Sequence, residues 1–348
     1  MAASVNVYPK PLAAITGPDI SCVNDPVGFE GSVTKETDVT WKWNFGNGHT
    51  TAQQQPDSQS YSMPGAVKVL LAVTSKNGCV DTAVHPLTVR PLPAAKASSL
   101  SEFICLDNTT VFQASGGASY EWTPATGLND PLSANPQASP PVTTDYQVKV
   151  TDSYGCVNTA GLTLRVVQPV TVQATSDTAI CLGDVLPLHA SGADNYTWEG
   201  PGLTNTSASS TTAVLNSAGA YQFKVTGYDN DGCFSNSSTM RAQVNPLPTV
   251  HVGNDLQIMA GVPLNLIPVV SSDAVRYNWT PAEYINCPAC KNVQALPNIT
   301  TTYTLEVENS FGCSAKDDIV VHVLCNQSAV FMPNAFTPNN DGLNDVFK

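Results

Sequence analysis

Four short runs along the chain place apolar residues at every second position. They are Val67-Val69-Leu71-Val73, Tyr146-Val148-Val150, Tyr221-Phe223-Val225 and Tyr303-Leu305-Val307, with polar or small residues between. Successive side chains of a strand point to opposite faces, so this period predicts half-buried β-strands. Each run leads into a segment rich in Asn, Asp, Ser and Gly, such as Ser75-Lys76-Asn77-Gly78 or Asn230-Asp231-Gly232. Those residues accept the backbone angles that close a hairpin. No helical period of useful length is present.

The runs belong to a longer repeat. A Gly-Cys pair follows each one, at Cys79, Cys156, Cys233 and Cys313, spaced 77, 77 and 80 residues apart. An earlier cysteine opens the first three units at Cys22, Cys105 and Cys181, and Met259 stands at that place in the fourth. A tryptophan follows each early position: Trp43 (with Trp41), Trp122, Trp198 and Trp279. Fixed places in a repeat mark Trp43, Trp122, Trp198 and Trp279 as core residues. The pattern predicts an all-β chain of four tandem immunoglobulin-like sandwiches, each of seven or so short strands with the tryptophan on the third. Expected limits are 11–92, 93–168, 169–247 and 248–325. Residues 1–10 read as the end of a preceding repeat or as residues added for expression, and 326–348 as the cut start of a further domain. Met1-Ala2-Ala3 has neither the charged nor the apolar part of a signal peptide, which suits a piece of a longer secreted protein. The joints Pro91-Leu92-Pro93, Gln168-Pro169-Val170 and Asn245-Pro246-Leu247-Pro248 are short and proline-bearing. Proline restricts such linkers to extended, semi-rigid spacers, so the expected arrangement is an elongated rod.

Two disulfide schemes fit these cysteines. One pairs within repeats, as Cys22–Cys79, Cys105–Cys156 and Cys181–Cys233. The other staples neighbours, as Cys22–Cys156, Cys105–Cys233 and Cys181–Cys313. If the early cysteine lies between the first and second strands and the late one after the sixth, the two sit at opposite ends of one sandwich. A strand of about eight residues spans roughly 26 Å, while a disulfide needs Cα atoms within about 7 Å. Head-to-tail packing would bring the early cysteine of one repeat to the late cysteine of the next. The second scheme leaves Cys79 for a further repeat. Cys287 and Cys290 read as a small closed loop or half a zinc site, with no second Cys or His pair beside them. Cys325 has no assigned partner.

Composition narrows the class. Lys and Arg number 15 against 28 Asp and Glu, a net charge of −13. Such a chain lacks the cation clusters that grip phosphate, which excludes nucleic acid as a partner. No apolar stretch is long enough to span a membrane, and 42% hydrophobic residues exceed what a disordered chain carries. Ten cysteines point to an oxidising, extracellular compartment.

Catalytic chemistry is not apparent. His49, His85, His189, His251 and His322 are scattered, four of them on expected strands, and no hydrolase, zinc-protease or phosphate-loop motif occurs. Asp229/Asp231 and Asp317/Asp318 could be read as acid/base pairs, but they stand in or near turns. Calcium, the one candidate cofactor, prefers oxygen ligands on loops. Its candidate sites are Asn339, Asp341, Asn344 and Asp345, and a shorter version at Asp229 and Asp231; tight Asx turns are the alternative. The tryptophans could instead stack on sugars. Seven Asn-x-Ser/Thr sequons and two Asp-Thr-Ala sites, at Asp81 and Asp177, complete the candidate modification motifs.

The first unit resembles a PKD domain through Trp43-Asn44-Phe45-Gly46-Asn47-Gly48, Tyr61 and Pro64-Gly65-Ala66-Val67-Lys68-Val69, with Asn47 where that family usually has Asp. Units two to four resemble Ig-like repeats of large Bacteroidetes surface proteins through Tyr120-Glu121-Trp122-Thr123-Pro124 and Tyr277-Asn278-Trp279-Thr280-Pro281. The tail Phe331-Met332-Pro333-Asn334-Ala335-Phe336-Thr337-Pro338-Asn339-Asn340-Asp341-Gly342 is similar to the opening of the gliding-motility-associated C-terminal domain, a sorting domain for type IX secretion. The resemblance implies a non-enzymatic stalk on the cell surface, in adhesion or gliding, with surface polysaccharide or another protein as ligand and the secretion machinery as a partner. The alternative is the accessory stalk or carbohydrate-binding region of a secreted hydrolase whose catalytic domain lies upstream.

Overall fold

The computed structural model describes residues 8–324, and every regular element among them is a β-strand. No helix of the described residues is long and apolar enough to cross a membrane. The first repeat comprises β1 (Leu12–Thr16), β2 (Ile20–Cys22), β3 (Glu30–Thr34), β4 (Val39–Asn44), β5 (Thr50–Thr51), β6 (Gly65–Ser75) and β7 (Val80–Arg90). β1 and β3 form one antiparallel sheet, and the other has the order β2-β7-β6-β4-β5. β2 runs parallel to β7, with Cys22 opposite Arg90.

Seven strands recur in the second repeat, from Lys96–Ser99 to Val157–Val167, and in the third, from Gln173–Ala174 to Ser235–Asn245. The fourth has eight, from Val250–His251 to Ser314–Leu324. There the strand opposite the first is split into Leu264–Leu266 and Val269–Val270. Pro268 lies in the gap, and proline has no N–H to give a ladder.

The alternating runs fill the cores. Val69, Leu71 and Val73 are fully buried, as are Val148 and Val150, Phe223 and Val225, and Leu305 and Val307. Four separate apolar clusters form, each holding one of Trp43, Trp122, Trp198 and Trp279. The chain divides into two compact units between Pro169 and Val170. The first unit holds the Trp43 and Trp122 cores, the second the Trp198 and Trp279 cores.

Two expectations about strand order need correction. The tryptophan lies on the fourth strand of the first three repeats and the fifth of the last, not the third. The early cysteine does not sit in a turn between strands; it ends a short strand of its own, as in Ile20–Cys22 and Thr178–Cys181. One cause explains both: the opening strand changes sheets. In the first repeat it pairs with β3, breaks at Gly17-Pro18, and resumes beside β7.

One loop tests backbone strain. After Trp122, Gly127 adopts φ +76°, and a Cβ there would lie 2.6 Å from the Pro140 Cα. The matching position after Trp279 is Tyr284, at φ 64°. Left-handed backbone costs a residue bearing Cβ about 1–2 kcal/mol. Tyr284→Gly is therefore expected to stabilise the fourth repeat by about 1 kcal/mol, because the exposed ring loses little burial. Gly127→Ala should destabilise the second by roughly 1–3 kcal/mol. Denaturant midpoints of the full chain check both.

Candidate functional site

The feature that recurs with its chemistry intact is the turn carrying each late cysteine. It opens on Ser75, Asp152, Asp229 or Asn309 and ends four residues later on Cys79, Cys156, Cys233 or Cys313. The residue before each cysteine is a glycine at positive φ, 82°, 86°, 73° and 82° in order, where any other residue would be strained. The opening side chain folds back on its own loop. Asp152 Oδ1 accepts the N–H of Tyr154 (2.8 Å) and of Cys156 (2.9 Å). Asn309 Oδ1 accepts those of Phe311 (3.1 Å) and Cys313 (3.0 Å). Ser75 Oγ accepts the Cys79 N–H at 3.2 Å. Asp229 goes further: Oδ1 takes the N–H of Asp231 (2.8 Å) and Cys233 (3.1 Å), and Oδ2 takes that of Phe234. The turn holds the cysteine at the tip of its hairpin.

Within each compact unit such a tip meets the preceding repeat. Cys22 is bonded to Cys156, with Cα atoms 5.5 Å apart, and Cys181 to Cys313, 5.6 Å apart. Pairing of Cys22 with Cys79 and of Cys181 with Cys233 is thereby overturned. The reason is geometric: the early cysteine ends a strand parallel to the last strand of its repeat, beside the exit linker, where the next repeat begins. Cys105 and Cys233 each stand in a disulfide as well. Supporting contacts surround the bonds. The Arg90 guanidinium lies 4.1 Å from the Tyr154 ring centroid, a cation–π contact. Asn158 donates to the Pro93 carbonyl (2.9 Å), and Asn309, almost fully buried, donates to that of Pro246 (3.0 Å). Cys156 and Cys313 are buried.

Cys287 and Cys290 form a disulfide of their own, not half a zinc site. It closes a loop over Trp279, whose backbone N–H and indole Nε1–H reach the carbonyls of Pro288 (2.9 Å) and Cys290 (3.2 Å). The second repeat shapes the same loop without sulfur: Trp122 donates to Pro131 and Ser133, and Asp130 Oδ1 accepts the Leu132 N–H.

The other candidates resolve into structural roles. Trp43, Trp122, Trp198 and Trp279 are at most 2% exposed, so none offers a face to a sugar. Asp229 accepts backbone N–H groups, as above, the chemistry of an Asx turn. Asp317 holds the Val252 N–H (2.9 Å) and faces His251 (3.2 Å). His189 and Ser210 are cross-strand neighbours 2.9 Å apart on an exposed strand face. Among the described residues no three His, Cys, Asp or Glu gather as a metal site. The loop with Asn339, Asp341, Asn344 and Asp345 lies outside the described residues, as does Cys325.

Among the described residues three carboxyls carry a pH signature. Burial would raise Asp229, but the N–H groups of Phe234, Cys233 and Asp231 outweigh it and hold it below the usual value. The Lys10 ammonium and the Ala13 N–H do the same for Asp81, and the hydroxyl of Ser271 and the amide of Asn309 for Asp273. A carboxyl more acidic in the folded state stabilises fully above its unfolded pKa of about 3.9. That contribution is lost as pH falls through the lower folded value. Asp229→Asn should therefore destabilise the chain by a constant amount above about pH 4, with the gap narrowing in stronger acid. Thermal melts from pH 7 to 2 read this directly; an equal gap at both ends would contradict it.

Residues 8–89 match the family model described as PKD domain. Among solved structures, immunoglobulin domains 1–5 of Sidekick-1 are similar at 14% identity and TM-score 0.36, over 90% of this chain and 77% of that one. Invasin, titled a bacterial integrin-binding protein, is similar at 11% and 0.41, over 90% and 79%. The ectodomain of human Desmocollin-1 follows at 10% and 0.29, over 88% and 80%. No curated protein matches. The chain is all-β, a tandem of immunoglobulin-like sandwiches whose first repeat matches the PKD domain.

Proposed function

We propose that this chain is a non-enzymatic structural and adhesive segment of an extracellular protein. The observation that carries the reading is the buried disulfide joining successive sandwiches, Cys22–Cys156 and Cys181–Cys313. Such bonds persist in oxidising compartments, and they stiffen the junctions on which a spacer depends. Recurrent cores, tryptophans turned inward and hairpin tips used for linkage suit a mechanical role. The tail from Phe331 supports a finer reading: export by the type IX machinery, attachment at the cell surface, and work in adhesion or gliding with a polysaccharide or protein ligand.

Cell-surface labelling tests this. An antibody against the chain is expected to label intact cells or to find the protein in the medium, with its cysteines oxidised. Loss of the protein should reduce attachment or spreading. Recovery from the cytoplasmic fraction with reduced thiols would refute the reading.

A further inference from the structure

We infer that the Cys79 turn of the first repeat is a docking end for a further repeat of the same type, which bonds Cys79 through its own early cysteine. Two independent observations carry this. The first is that the same position is already linked elsewhere in the chain. Cys156 and Cys313, at the ends of equivalent turns, each hold the early cysteine of the preceding repeat and are buried. Cys79 is presented by the same backbone, with Ser75 closing the turn and Gly78 at φ 82°, yet it is a half-buried free thiol.

The second is the seating of the chain that enters the repeat. In the second repeat the incoming linker is held by the residue two beyond the cysteine: Asn158 donates to the Pro93 carbonyl. In the first, Asp81 stands two beyond Cys79, pairs with Lys10 at 2.7 Å and accepts the Ala13 N–H at 2.8 Å. Tyr8-Pro9-Lys10-Pro11 thus occupies the place of Arg90-Pro91-Leu92-Pro93. Because Cys22 lies opposite Arg90, a repeat ending at the Tyr8 position would set its early cysteine beside Cys79. A second copy of this chain has no such cysteine to offer, since Cys22, Cys105 and Cys181 are all in disulfides.

The chemistry is an oxidation. The two thiols give up two protons and two electrons to a low-molecular-weight disulfide such as oxidised glutathione. One S–S bond forms as the oxidant's breaks, and the oxidant leaves as two thiols.

The test extends the full chain. A copy of residues 172–245 carrying Cys233→Ser is joined ahead of Pro9, so that the copy's Cys181 has only Cys79 in reach. A second extension uses residues 95–167 with Cys156→Ser, whose free early cysteine is Cys105. Each protein is oxidised in a glutathione buffer, alkylated with iodoacetamide and mapped without reduction. The expected result is a Cys181–Cys79 peptide from the first and a Cys105–Cys79 peptide from the second, with loss of alkylated Cys79. The unextended chain should keep Cys79 alkylated. Recovery of Cys22–Cys156 in the same digest shows that the original repeats are folded. Alkylated Cys79 in both extended chains, or Cys79 bonded to Cys325 or to a second Cys79, would overturn the proposal.

Discussion

Replacing Cys22 and Cys156 together by serine is expected to lower the stability of the unit they close by about 2–4 kcal/mol. The two residues are 134 positions apart in sequence. A cross-link over so long a loop removes much of the freedom of the unfolded chain, about 5 kcal/mol at the upper end of the chain-entropy account. It also joins two separate apolar cores, one around Trp43 and one around Trp122. An unfolded first repeat therefore stays tethered to its folded neighbour. Without the bond the two repeats should melt in resolved steps, with the Arg90–Tyr154 contact alone too weak to couple them. Cys181→Ser with Cys313→Ser should do the same in the second unit, where the separation is 132. Cys287→Ser with Cys290→Ser is the contrast. That bond spans 3 positions, and a loop so short yields no more than about 2 kcal/mol. Calorimetry with and without reductant measures all three. Equal losses from the short and long bonds would show that loop closure is not what stabilises the junctions.

Much of this architecture is readable from spacing. The 77-residue period and the alternating runs place the cores, because the strands that carry them are long and bury one face. The cysteine pairing could be argued but not decided, since it rests on where the early cysteine stands relative to strand ends. Those ends are hard to read. Ile20–Cys22 and Phe103–Cys105 are three residues long, too short to show a period, and their parallel pairing with the last strand depends on residues far away in the sequence. The residue that opens each cysteine turn was visible only as part of a polar cluster. It is serine, aspartate, aspartate and asparagine in the four repeats, and only the shared hydrogen bond to the cysteine N–H unites them. The same chemistry explains why Asp229 could be read as a calcium ligand. A carboxylate ahead of Asn, Asp and Gly suits a cation and an Asx turn equally, and the three N–H groups aimed at it supply the turn.

Removal of a core tryptophan is the other large effect, and it separates a packing role from a binding one. Trp122 is 2% exposed, lies 5.1 Å from the Phe112 ring and donates Nε1–H to the Ser133 carbonyl at 3.1 Å. Trp122→Ala empties the centre of its repeat and is expected to cost about 3–5 kcal/mol. A domain typically has only about 5–15 kcal/mol in all, so this repeat should unfold well before the third and fourth. Trp122→Phe keeps most of the packing but leaves the Ser133 carbonyl without its donor. It should cost less, about 1–3 kcal/mol. The same ranking is expected for Trp198, whose Nε1–H reaches the Ala208 carbonyl at 2.9 Å, and for Trp43, which reaches that of Gln53 at 3.0 Å. Denaturant unfolding followed by far-ultraviolet circular dichroism measures the losses, with fluorescence of the remaining tryptophans reporting the repeats that were not changed. A sugar-stacking tryptophan would behave in the opposite way: its replacement would abolish binding to a glycan surface and leave the unfolding midpoint where it was.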